Sequence, residues 1–101
     1  MITNKQRAAL RGIASKTETI LSVGKNGVTP DVTAAVAEAL ASRELVKVAV
    51  LNNCEMSAAD AAEMLSGRTR SDIVQVIGKK LVLYRRNPDR KEGILDERIK
   101  G

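Results

Sequence analysis

Apolar positions along this chain fall into two rhythms. Val32, Ala35, Val36, Ala39 and Leu40 recur at i, i+3, i+4, i+7 and i+8, which is one face of an α-helix. The spacing predicts a helix from Pro30 to about Ser42, with Thr29 as N-cap, Pro30 at the first position and Asp31 against the positive end of the dipole. A first helix is predicted over about Thr3 to Ser15, capped by Thr3 or Asn4, with Gln6, Leu10, Ile13 and Ala14 on one side. A third is predicted from Ala58 to Gly67, its inner face Ala58, Ala61, Ala62 and Leu65 with Met64 beside them. Ser57 and Asp60 form its start signal, and Gly67 suits its end. The second rhythm has period two. Thr19–Val23 reads as a short strand, and Leu45–Leu51 as another in which Val46, Val48 and Val50 share a buried face. Its other face carries Leu45, Lys47, Ala49 and Leu51, and the lysine suggests partial exposure to solvent. Ile73–Ile77 and Leu81–Tyr84 flank Gly78-Lys79-Lys80, a hairpin whose leading glycine fits a type II′ turn.

The predicted order is therefore α-β-α-β-α-β-β. Strands joined by a helix of this length are parallel, and the last two strands are antiparallel. This defines the expected fold: an α/β (α+β) domain over residues 1–86 with one four-stranded mixed sheet and helices mainly on one face. Residues 87–101 are polar, carry the basic pair Arg90-Lys91 near their start, and are expected to be a flexible tail with at most a short helix near Leu95–Lys100.

Composition removes whole classes of chemistry. The chain has no His, Trp or Phe, and one cysteine, Cys54. His-dependent acid–base catalysis, a Ser-His-Asp triad and most zinc sites are excluded, and no metal site or cofactor is expected. Cys54 cannot form an internal disulfide and reads as an inert loop or core residue. Tyr84 is the only aromatic residue, so there is no multi-aromatic stacking platform, and Tyr84 itself reads as a strand residue. No apolar run is long enough to span a bilayer and the N-terminus lacks the pattern of a secretory signal, so a cytoplasmic location is expected.

Charge adds direction. The net charge is +5, which points to an acidic partner, nucleic acid before membrane. Residues 1–28 carry a net +4, residues 29–67 a net −4 and residues 68–101 a net +5. The middle helices are acidic, whereas the first helix, the glycine loop and the hairpin are basic. Between the first strand and the second helix lies Gly24-Lys25-Asn26-Gly27, where a strand end, a glycine-bracketed turn and a helix N-terminus combine into a seat for an anion such as phosphate. An ordinary strand-to-helix turn explains the two glycines equally well. Lys79 and Lys80 at the hairpin tip suit either an anion contact or simple solubility.

Taken together, Val23-Gly24-Lys25-Asn26-Gly27-Val28-Thr29, the strand Leu45-Val46-Lys47-Val48 and the hairpin ending in Leu83-Tyr84-Arg85 resemble the CRM domain, and more closely its stand-alone bacterial YhbY-like form. The likeness runs from about residue 2 to residue 86. It implies a fold similar to the C-terminal domain of translation initiation factor three. It also implies RNA binding, with the bacterial members associated with large-subunit ribosome precursors, and no enzymatic activity. On this reading Gly24 and Gly27 let backbone N–H groups approach a phosphate, Lys25 adds a charged contact, and Asn26 tolerates left-handed geometry and hydrogen-bonds phosphate or a 2′-OH. Lys5, Arg7 and Arg11 on the first helix hold adjacent phosphates, and Lys79, Lys80, Arg85 and Arg86 extend the surface. The expected partner is structured ribosomal RNA, bound by a monomer. The alternative is a protein-interaction module docking on a ribosomal or translation protein through the open sheet face around Leu45, Lys47, Ala49 and Leu51. A nucleotide-using enzyme is disfavoured, because the loop lacks the Gly-Lys-Ser/Thr ending of a P-loop.

Overall fold

The computed structural model describes residues 2–86, and the tail expected over 87–101 lies outside them. Helix α1 (Asn4–Ala14) is followed by β1 (Leu21–Val23), α2 (Pro30–Arg43), β2 (Leu45–Val50), α3 (Ala58–Thr69), β3 (Asp72–Ile77) and β4 (Lys80–Tyr84). The strands form one sheet in the order β1-β2-β4-β3. β1 runs parallel to β2, while β4 is antiparallel to both β2 and β3. The βαβ crossover and the hairpin are thus both present as expected.

Local chemistry explains the boundaries. Thr3, rather than Asn4, caps α1: its hydroxyl accepts from the Gln6 amide, and the Gln6 side chain accepts from the Thr3 amide in return. Gln6 therefore serves the cap and not the apolar face. Thr29 caps α2 through the Val32 amide, and Ser57 caps α3 through the Asp60 amide. The third helix runs past Gly67 to Thr69 and ends where Arg70 takes left-handed geometry at φ 56°. Gly67 thus lies inside that helix, whose last residue, the buried Thr69, donates its hydroxyl to the Leu65 carbonyl one turn back. The strand expected from Thr19 begins at Leu21, although the Ile20 amide already donates to the Lys47 carbonyl. Gly78 sits at φ 57° while Lys79 does not have positive φ, the pattern of a type II′ turn. In β3, Val74 and Gln75 together oppose Val82, a bulge that adds local twist.

Two apolar layers hold the domain. Val46, Val48 and Val50 of β2 and Leu81 and Leu83 of β4 meet Val36 and Leu40 of α2 and Ala61, Ala62 and Leu65 of α3. The small residues of α3 allow the helix to lie close to the sheet. On the opposite face, Leu10 and Ala14 of α1 cover Leu45, Val74, Val82 and Tyr84. Two helices thus share one face and α1 takes part of the other. Lys47 points toward α1 and its ammonium donates to the Ala14 carbonyl, neutralising the negative end of that helix.

Candidate nucleic-acid interface

β1 ends at Val23, whose carbonyl accepts from the Leu51 amide and ties the strand end to β2. The chain then reverses in a β-turn closed by Gly27 N–H donating to the Gly24 carbonyl at 2.9 Å. Lys25 and Asn26 form its corner, both exposed and neither with positive φ. The left-handed position is Gly27, at φ 70°, and Asn26, which tolerates that geometry, does not adopt it. A Cβ placed on Gly24 would lie 3.7 Å from Leu51 Cδ1 and 3.9 Å from Asn53 Oδ1, an ordinary contact, so Gly24 is not demanded by the fold. Among the described residues, no acceptor faces the Lys25 and Asn26 amides. Those two donors stand free just before the N-terminus of α2, where the helix dipole is positive.

Other elements converge on the same end of the sheet. The Val50 amide donates to the Lys79 carbonyl, and Lys79 Nζ donates to Asn52 Oδ1 at 2.8 Å. The hairpin turn is thereby joined to the β2–α3 loop, which also reaches Gly24 through Leu51 and Asn53. Lys80 is exposed beside it, paired with Ala49. A further cation, Arg68 from the last turn of α3, donates from Nη1 to the Val28 carbonyl at 3.2 Å and stands next to the turn. Sequence reasoning missed Arg68. It follows an acidic helix, and no spacing rule places a helix C-terminus against a loop forty residues earlier in the chain.

The remaining candidates lie elsewhere. Arg7 Nε donates to the Ile73 carbonyl, and Ile73 pairs with Leu83 opposite Val46. By strand register this is four residues along and three strands across from Val23, about 20 Å away at ordinary sheet spacings. Lys5 and Arg11 are exposed on the same helix. Arg85 has an internal role: Nη1 donates to the Thr69 carbonyl at 2.8 Å and Nη2 to the Ala37 carbonyl at 3.2 Å. Its amide also donates to the Glu44 carbonyl. Arg86 pairs with the fully buried Glu44 carboxylate at 3.3 Å. Glu44, unsuspected from sequence, sits at φ 66° between α2 and β2, so this corner combines a strained backbone with a paired buried charge. Tyr84 is buried beneath α1 and offers no stacking surface. Of the sheet face expected to be open, Leu45 is buried and Lys47 is engaged, while Ala49 is half-buried and Leu51 exposed. Among the described residues no acid–cysteine cluster could hold a metal, and no helix is long and apolar enough to cross a membrane.

Fold and site together define a small α+β domain that presents a glycine-bracketed turn, two free amides and a set of cations at one end of a mixed sheet. The chain belongs to the CRS1/YhbY (CRM) domain family, whose model matches residues 2–85. It is 45% identical over 92 residues to the Bacillus subtilis protein named "Probable RNA-binding protein YqeI", covering 91% of this chain and 96% of that one. It is 32% identical over 90 residues to a Haemophilus influenzae protein named "RNA-binding protein", covering 89% of this chain and 91% of that one. The solution structure of the hypothetical protein SAV1595 from Staphylococcus aureus superposes with a TM-score of 0.77 at 40% identity, covering 90% of this chain and 95% of that one.

Proposed function

We propose that this protein binds RNA through the sheet end that carries the Gly24–Gly27 turn. Its target on this reading is structured ribosomal RNA in precursors of the large ribosomal subunit, where it serves assembly without catalysis. The observation that carries the reading is the free pair of turn amides at Lys25 and Asn26, set at a helix N-terminus beside Lys79, Lys80 and Arg68. The relatives' names support RNA as the acidic partner.

The mechanism is recognition of backbone. The two amides donate to the oxygens of one phosphate, Lys25 adds a charge-assisted bond, and the Asn26 side chain reaches a neighbouring oxygen or 2′-OH. Gly24, which a side chain could replace without a clash, keeps the approach open. Lys79, Lys80 and Arg68 hold flanking phosphates. Arg7, held at Ile73 about 20 Å away by register, and Lys5 and Arg11 on the same helix meet a second stretch of backbone. Arg85 and Arg86 serve by holding the scaffold. Shape, rather than base stacking on aromatics, selects the target. The unit of binding is a monomer of residues 1–86, acting in the cytoplasm.

The test is a double substitution, Lys25→Ala with Asn26→Ala, in binding titrations across salt. Affinity falls and the log–log salt slope loses about one unit, because one phosphate contact is gone. Unchanged affinity in a folded double variant rejects the loop as the contact. Crosslinking in cells followed by sequencing yields ribosomal RNA as the dominant species, and a scattered RNA pool rejects the ribosomal assignment.

A further inference from the structure

Beneath the Gly24–Gly27 turn lies a groove of about 330 Å³, walled on one side by the turn itself and on the other by α3 and the loop before it. Its floor is unlike the rest of this basic surface. Val28, Met56 and Met64 line it, and Met56 Sδ would lie 3.5 Å from a Cβ on Gly27. Arg68 stands at its edge, held by the Val28 carbonyl through one nitrogen, which leaves the guanidinium plane and its other donors exposed. Glu55 also lines the groove.

These features sort ligand parts by chemistry. Lys25 and Asn26 line the groove on its turn side, and a phosphate finds its donors there, at their amides and the Lys25 ammonium, and not on the floor of Val28, Met56 and Met64 beside Glu55. A flat neutral ring suits the inner side: thioether sulfur makes favourable contacts with aromatic rings, and guanidinium planes stack on bases. The volume lies at the low end of small-molecule clefts and admits one ring system, not a stacked run.

We infer that this groove is a subsite for a single unpaired nucleobase, whose own phosphate rests on the Gly24–Gly27 turn. The inference builds on the RNA-binding reading above and deepens it. RNA with an extruded nucleotide is then preferred over continuous duplex, and the selectivity comes from Met64 and Arg68 in a protein with no accessible aromatic side chain.

The test compares two hairpin RNAs of the same length, one fully paired and one with a single-nucleotide bulge, bound to protein carrying ¹³C-methyl methionine. With the bulged RNA the Met56 and Met64 methyl resonances shift upfield from the ring current of the base, and with the paired RNA they do not. Binding favours the bulged RNA by about fivefold or more, as expected for one stacked base. In Met64→Ala the preference drops below about twofold while the affinity for the paired hairpin changes little, and in Arg68→Gln the preference drops likewise while both RNAs bind more weakly, because a flanking phosphate contact is lost as well. Equal affinity of the native protein for both RNAs, or tight binding with unmoved Met56 and Met64 methyls, overturns the subsite and leaves the RNA-binding reading standing. If neither RNA binds, both readings fall.

Discussion

The two glycines of the turn are interchangeable in sequence but not in structure, and substituting each by alanine tells them apart. Gly27 sits at φ 70°, where an L-residue costs about 1–2 kcal/mol. A Cβ there meets only Met56 Sδ at 3.5 Å, an ordinary contact, so the cost is in the backbone and not in crowding. For a domain of this size about 1–2 kcal/mol lowers the melting temperature by about 5–15 °C. Gly24 has no positive φ, and the space for its Cβ is open to 3.7 Å, so Gly24→Ala changes stability by no more than about 0.5 kcal/mol. Thermal melts by circular dichroism, with urea titration at a fixed temperature, measure both variants. Gly27→Ala melts well below the parent and Gly24→Ala melts with it, its methyl group resting against Leu51 and Asn53. Gly27→Asn recovers part of the loss, since Asn enters the left-handed region more readily than Ala. A Gly27→Ala protein that melts with the parent, or two alanine variants equally destabilised, refutes the geometric assignment.

Other outcomes follow from the same contacts. Arg85→Lys keeps the charge but cannot bridge the Thr69 and Ala37 carbonyls, so it loses about 1–3 kcal/mol in urea unfolding, whereas a residue that only contacted RNA would tolerate lysine. A double-mutant cycle of Glu44→Gln and Arg86→Gln gives a coupling energy of about 0.5–3 kcal/mol in stability, and a coupling near zero removes that pair from the account of the α2–β2 corner. Lys47→Met leaves the Ala14 carbonyl without its cation and costs about 0.5–1.5 kcal/mol by the same denaturation assay, where an exposed lysine would show no loss.

Element type and order were legible because each segment carried a consistent pattern: five apolar positions of α2 at helical spacing, three alternating valines in β2, and a glycine-led turn between two apolar runs. The caps at Thr29 and Ser57 were legible for the same local reason. What escaped was tertiary. Lys47 looked like a solvent-facing residue because sequence does not show that α1 ends above it. Arg85 and Arg86 looked like part of a basic surface because their acceptors, Thr69, Ala37 and Glu44, lie 16 to 48 residues away. Arg68 escaped for the converse reason, being brought to the site by α3 packing. Which residue of the turn takes the left-handed seat was open in sequence, since both asparagine and glycine tolerate it, and the turn closed from Gly27 to Gly24 puts it at Gly27.

β1 is three residues long and pairs on one side only, yet it carries the turn on which the proposed contact depends. β4, by contrast, lies between two partners. In native-state hydrogen exchange, β1 and its turn therefore open at far lower free energy than β4. The proposed RNA-contacting loop is hung on a three-residue edge strand, and a bound phosphate that pins the loop holds that strand closed against the sheet. Slowed exchange at Leu21–Val23 on adding RNA is the direct reading of that closure, and it makes the edge strand a reporter of occupancy as well as a support.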